Sequence, residues 1–380
     1  MSSSTNGTQP PRIKARAAVL FGAKQKLQIK DVEIDQPKPL EVHVKIHSAG
    51  VCGSDLHVAE GDWGSRFKLP IVLGHEGAGV VQSVGAAVTR VKPGDHVILL
   101  FKENCGRCDN CQVGRPSLCK GHPRYPGTMF DGTNRIWVDG EPCYAMSSLG
   151  CWATDCVVSE ENVLPIDKTI PLNRAVLVGC GVMTGVGAAI NTAKVEVGSS
   201  CVVVGCGGVG LNCVQGAKLN NAGMIIAVDI FESKLEAARD FGATHTINAR
   251  TVDAVAEVTK LTGGGAHFAI DALGSARTSE QCVEMIRPGG TAVIVGMAPS
   301  SHRAQIDIFT IARDEKCIKG SYYGSARPGV DMIRLLELYK QKRLKLDELV
   351  SKTIKIEECN EALALLKEGG VARTIIDFAA

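Results

Sequence analysis

Apolar strand runs alternate with helical stretches between residues 200 and 297, and this alternation constrains the fold more than any other feature. SCVVVG leads into a helical stretch near 208–220 and MIIAVD into another near 232–240, while HFAIDA and TAVIVGM flank a third at 277–286. Strands alternating with helices require right-handed crossovers, so they build a doubly wound parallel sheet, an α/β arrangement. At its first turn stands Gly205-Cys206-Gly207-Gly208-Val209-Gly210. A lone G-x-G-x-x-G is often a plain turn. Here it follows a strand and opens a helix, and Asp229 closes the next strand about twenty residues on, the spacing of a dinucleotide-binding unit. The glycines let the backbone approach a pyrophosphate, and the helix N-terminus favours its negative charge. Asp229 is placed to accept both hydroxyls of an adenosine ribose and would repel a 2′-phosphate, so NAD is expected over NADP.

The stretch before Cys180 has a different texture. ARAAVLF, EVHVKIHSAGV, EGAGVVQSVG and DHVILLF are short β patterns closely punctuated by glycine and proline. They predict a mostly antiparallel, barrel-like β domain. Into it is inserted Cys105-x2-Cys108-x2-Cys111-x7-Cys119. Four thiolates this close can close a tetrahedron around one Zn²⁺ with no open position, which marks a structural site. An iron–sulfur cluster also takes four thiolates and is the competing metal reading. The chain has 15 cysteines in all. No signal-peptide pattern precedes them, and their clustering at metal spacing favours a reducing compartment over a disulfide scaffold, so a cytoplasmic location is expected. Cys201, Cys206 and Cys213 sit in apolar runs and read as core residues.

With 380 residues and 45% hydrophobic content the chain is long enough for two cores. A formal net charge of +2 gives no sign of a nucleic-acid or membrane-surface binder. No apolar run is long enough to span a bilayer. Cys52, His75, Glu76 and Cys180 lie in or beside glycine-rich turns, where function concentrates, but no local spacing links them.

Over nearly its whole length the chain resembles the zinc-containing medium-chain alcohol dehydrogenases, and its nearest branch looks like the liver-type and class III group. The residues that carry the likeness are CGSD at 52–55, GHEGAGVV at 74–81, the four-cysteine lobe, GCGV at 179–182 and GCGGVG at 205–210. The resemblance implies a GroES-like catalytic domain joined to a Rossmann domain. It implies a catalytic zinc on Cys52, His75 and Cys180 with an open fourth position, an arrangement for which alcohol dehydrogenase is the standard example. Asp55 would orient His75, and Glu76 would lie behind the metal. Ser54 matches the hydroxyl that bonds the alcohol, and His57 the histidine that relays its proton to solvent. Thr184 would touch the nicotinamide, Lys234 the ribose and Arg373 the pyrophosphate, with Gly205, Gly207, Gly208, Val209 and Gly210 lining the cofactor. Phe101 matches a substrate-pocket position. Two zinc ions and one NAD per chain are thereby expected.

Two departures stand out. Gly53 replaces a basic or histidine residue common in liver-type members. The segment Lys120-Gly121-His122-Pro123-Arg124 places its arginine late and behind a proline, which weighs against glutathione. The expected function is zinc-dependent, reversible hydride transfer between an alcohol and NAD. Glutathione-dependent formaldehyde oxidation and a non-catalytic dinucleotide-binding protein of the same fold are the alternatives. The expected boundaries are 1–181 for the catalytic domain, with a disordered tail at 1–14 and the zinc lobe at about 101–120, then 182–319 for the Rossmann domain and 320–380 for a return to the catalytic domain. A homodimer is expected from a free sheet edge near Ile306–Tyr323, and the resemblance implies the same, because family members that keep a long stretch such as 120–148 tend to be dimers.

Overall fold

The structure, a computed structural model, describes residues 10–121, 127–369 and 372–379. Residues 1–9 of the expected tail, and His122, Pro123 and Arg124, lie outside the described residues. Lys14 and its neighbour Ile13 are not tail but the start of the first strand, Ile13–Leu20, because Ala15 and Ala17 already turn into the core.

The parallel sheet has six strands in the order His245–Asn248, Met224–Asp229, Ser200–Val204, Ala266–Asp271, Ile286–Ile294 and Cys317–Gly320. The strand order reverses between Ser200–Val204 and Ala266–Asp271, which are parallel neighbours. A crevice opens at such a switch point, outside the carboxyl ends of the strands. The glycine loop 205–210 sits there and leads into the helix Gly208–Leu219. Cys201, Cys206 and Cys213 are all buried, as expected of core residues.

The remaining strands form the GroES-like part: a closed barrel and a seven-stranded sheet centred on Glu41–Val51. The last strand, Arg373–Asp377, runs antiparallel to the end of Glu41–Val51, with Thr374 opposite Val51. The chain's end is thus tied beside Cys52. One buried cluster runs without a break from Ile98 through Val176, Val182 and Val186 to Val203, so the two sheets share a core. Among the described residues no single helix is long and apolar enough to cross a membrane.

Candidate active site

The site begins with a helix start. Cys52 caps the helix Gly53–Glu60, and its N–H donates to Asp55 Oδ2 at 2.9 Å, completing a capping box. The other oxygen of Asp55 accepts from His75 Nδ1 at 3.1 Å and from the Gly74 N–H at 3.2 Å. One fully buried carboxylate therefore fixes both Cys52 and His75. With Nδ1 engaged, His75 Nε2 is buried and has no hydrogen-bond partner.

Cys52, His75, Glu76 and Cys180 bring one ligand atom each within 4.8 Å of one another, all from buried residues. Cys180, after the turn Val176–Gly179, closes the group from the far side. The Cys180 thiol bonds toward Cys52 and, against the opposing effect of burial, holds Cys52 well below the ordinary thiol range, with Arg373 helping. Cys180 is pushed correspondingly far above it. Two soft sulfurs and an orphaned imidazole nitrogen aimed at one point are the donor set of a zinc site. Asp55 behind the histidine supplies the outer bond that such ligands usually have. Glu76 is fully buried, and its Oε1 accepts from Arg373 Nη1 at 2.9 Å while Oε2 has no partner. Burial pushes this carboxyl up to about 7, against the pull of Arg373.

The second cysteine set also assembles. Cys105, Cys108, Cys111 and Cys119 offer sulfurs within 4.8 Å of one another, with 3.9 Å between Cys105 and Cys111 and between Cys108 and Cys119. Bonds from the backbone of Lys120 and Cys111 lower the Cys108 thiol to about 6, while burial raises Cys111 to about 12. Four sulfurs gathered this closely fit a closed structural zinc.

The glycine loop fits a dinucleotide. Gly205 takes φ +89°, a left-handed turn that glycine tolerates best. A Cβ on Gly210 would overlap the Gly205 carbonyl, so this glycine serves the packing of helix on strand. At Gly207, by contrast, the space is open, and the helix Gly208–Leu219 has no side-chain cap. Its first N–H groups are left for an anion. Asp229 Oδ2 accepts from the Cys206 N–H at 2.8 Å, and Oδ1 from Ile230 and Phe231 at 2.7 and 3.1 Å. Lys234 lies over the Phe231 ring, 5.1 Å from its centre. Arg373 lies where a side chain on Gly208 would collide with its guanidinium, so it borders both the glycine loop and the cysteine–histidine cluster.

Between these parts lies a cleft of about 240 Å³. Cys52, Ser54, His57, His75, Cys180, Thr184 and Val209 all line it. Phe101 meets the His75 ring edge-on at 5.6 Å and packs on Tyr323 at 4.0 Å. Sequence reasoning missed Leu273, Met297, Tyr322 and Tyr323, which also line the cleft. It missed Asp271 too, whose oxygens hold the Leu273 and Gly274 N–H groups and the Ser279 hydroxyl. Asp271 closes a strand as Asp229 does, and that position was the available signal.

Comparison with known proteins agrees with this geometry. Residues 38–168 match the alcohol dehydrogenase GroES-like domain, and residues 208–340 match the zinc-binding dehydrogenase family. The chain is 43% identical to the NDMA-dependent alcohol dehydrogenase of Amycolatopsis methanolica over 371 residues, 96% of this chain and 99% of that one. In structure it is similar to benzyl alcohol dehydrogenase from Acinetobacter calcoaceticus, with a TM-score of 0.91, 34% identity, and coverage of 97% of this chain and 100% of that one. An alcohol dehydrogenase zinc-binding domain protein from Burkholderia ambifaria gives a TM-score of 0.92 at 32% identity, with the same coverage. The fold and site are those of a zinc-binding dehydrogenase. More narrowly, the chain belongs to the zinc-binding medium-chain alcohol dehydrogenase family.

Proposed function

We propose that this chain oxidises alcohols to aldehydes or ketones, reversibly, with a nicotinamide dinucleotide as hydride acceptor and with NAD preferred to NADP. The observation that carries the reading is the meeting of Cys52, Cys180 and the unpartnered His75 Nε2 at the end of a cleft bordered by Thr184 and Val209. A zinc ion held by those three residues supplies Lewis acidity toward a substrate oxygen. A nicotinamide supplies the hydride acceptor. The chain's own groups do the rest. Ser54 accepts the alcohol proton at the cleft, and His57 passes it toward solvent. Asp55 keeps His75 in register, while Phe101, Trp63, Leu273 and Met297 form an apolar wall of the cleft. That wall favours aromatic or other bulky apolar alcohols, in agreement with the name of the Acinetobacter relative. Gly205, Gly207, Gly208, Val209 and Gly210 cradle the dinucleotide, with Asp229, Lys234 and Arg373 at its ribose and phosphates.

We assign the catalytic part to 1–181 and 320–380, the dinucleotide part to 182–319, and the working unit to a homodimer. We place the chain with the liver-type and class III branch, which it resembles by motif. Glutathione is not expected to be needed.

The test is a panel of benzylic and aliphatic alcohols offered with NAD, with NADP and with NDMA, the compound in the Amycolatopsis relative's name, each with and without glutathione. Metal analysis of the same preparation should find two zinc ions per chain. Turnover of a benzylic alcohol with NAD and no glutathione requirement is the expected result. Preference for NADP would overturn the role given to Asp229. No turnover of any alcohol would overturn the proposal.

A further inference from the structure

We infer that Asp62 is a positioning residue that holds the His57 imidazole with its proton on Nδ1, so that Nε2 is the end that accepts a proton at the cleft. The inference rests on the alcohol dehydrogenase reading and deepens it. Gly61, at φ +77°, turns the chain sharply out of the helix Gly53–Glu60. The turn brings Asp62 back onto the residue five positions earlier. Its N–H donates to the His57 carbonyl at 3.0 Å, and its Oδ2 lies 2.7 Å from His57 Nδ1. An ionised carboxylate can only accept, so the ring nitrogen facing it carries the hydrogen. The neutral ring then keeps its lone pair on Nε2.

The short turn is held from outside as well as from within. Trp63 stacks on the His57 ring at 5.1 Å and 29°. Its indole N–H donates to the Ala298 carbonyl at 3.4 Å, and Ser300 donates to the Asp62 carbonyl from its backbone and its hydroxyl, at 3.5 and 3.4 Å. Ala298 and Ser300 follow the strand Ile286–Ile294 of the parallel sheet. The imidazole is thus braced by a carboxylate along its edge, an indole on its face, and a turn fastened to the dinucleotide-binding half.

The chemistry is proton transfer alone, and no electrons change hands. A proton arriving from the Ser54 side bonds to Nε2 and makes an imidazolium, which stays paired with the Asp62 carboxylate. The same proton then leaves Nε2 for water at the partly exposed edge of the ring. A carboxylate behind a histidine serves in this way in serine hydrolases, where replacing it by an amide leaves the histidine in the wrong tautomer.

Two measurements test the inference. The first uses protein labelled with ¹⁵N-histidine, without added alcohol or cofactor, with the His57 signals identified by their loss in His57→Asn. Nδ1 should carry the hydrogen in the native protein, and the tautomer should change to Nε2–H in Asp62→Asn. An Nε2–H tautomer in the native protein overturns the inference. The second measures turnover of benzyl alcohol with NAD. Asp62→Asn should lower kcat roughly tenfold to a hundredfold, while the KM for NAD changes little. Asp62→Glu should recover part of the loss. In a His57→Ala background Asp62→Asn should cost nothing further. An equal loss in both backgrounds shows a merely structural role and also overturns it. If the native protein oxidises no alcohol, the functional reading fails, and the tautomer measurement still decides the role of Asp62.

Discussion

Ser54 and Cys52 lie two residues apart on one turn and carry different burdens. Cys52 is a cap, a packing residue and a proposed ligand at once, and it is 8% exposed. Ser54 faces the cleft and is only partly buried. Ser54→Ala should therefore lower kcat by roughly a hundredfold, the usual contribution of a placed proton acceptor, while the thermal midpoint barely moves. Thermal unfolding beside steady-state kinetics checks both halves, and a large drop in stability would show that Ser54 serves structure first. The proposed ligands are legible in the sequence through the family resemblance, carried by CGSD, GHE and GCGV, because no local spacing links the three turns. Their partners are less legible. Nothing local links Glu76 to Arg373, since their pairing depends on a strand that returns from the far end of the chain. His57 and Asp62 sit close in sequence, but only the left-handed Gly61 turn folds one onto the other.

The helix Gly208–Leu219 separates two roles that the six-residue glycine motif merges. Gly210 faces the Gly205 carbonyl, and Gly207 faces open space. Gly210→Ala should lower stability by about 1–3 kcal/mol, the usual cost of overpacking, as read by chemical denaturation. Gly207→Ala should leave stability unchanged, because its φ of −76° suits alanine, yet weaken NAD binding by calorimetry. Equal loss of stability at both positions would contradict that division. Periodicity makes the strands and helices of this half legible, because Ser200–Val204, Met224–Asp229 and Ala266–Asp271 are buried almost throughout and each reads as one apolar run. The barrel half is legible only as a texture of short strands. Its pairings join segments distant in sequence, such as Glu41–Val51 with Arg373–Asp377, and no local pattern fixes them.

At the scale of the molecule, the strand Cys317–Gly320 is the outer strand of the parallel sheet and, among the described residues, pairs on one side only, with Ile286–Ile294. Around it Ile308 and Phe309 are 82% and 65% exposed. A free strand edge beside apolar side chains invites a second copy, and a two-fold pairing closes it. Light scattering across a dilution series should give about twice 40.2 kDa, and Phe309→Glu should lower the mass toward a single chain. A native mass of one chain or of four would count against the dimer. The link between Glu76 and Arg373, 297 positions apart, bears on a different event, the birth of the protein. A ribosome makes the segment around Glu76 early, already destined for the interior. Its counter-charge, Arg373, follows 297 positions later. Until then the carboxylate has no cation to meet, and a buried charge left alone costs about 3–5 kcal/mol. Until Arg373 is made, that cost opposes closure of the chain around Glu76, unless a proton takes the place of the missing cation.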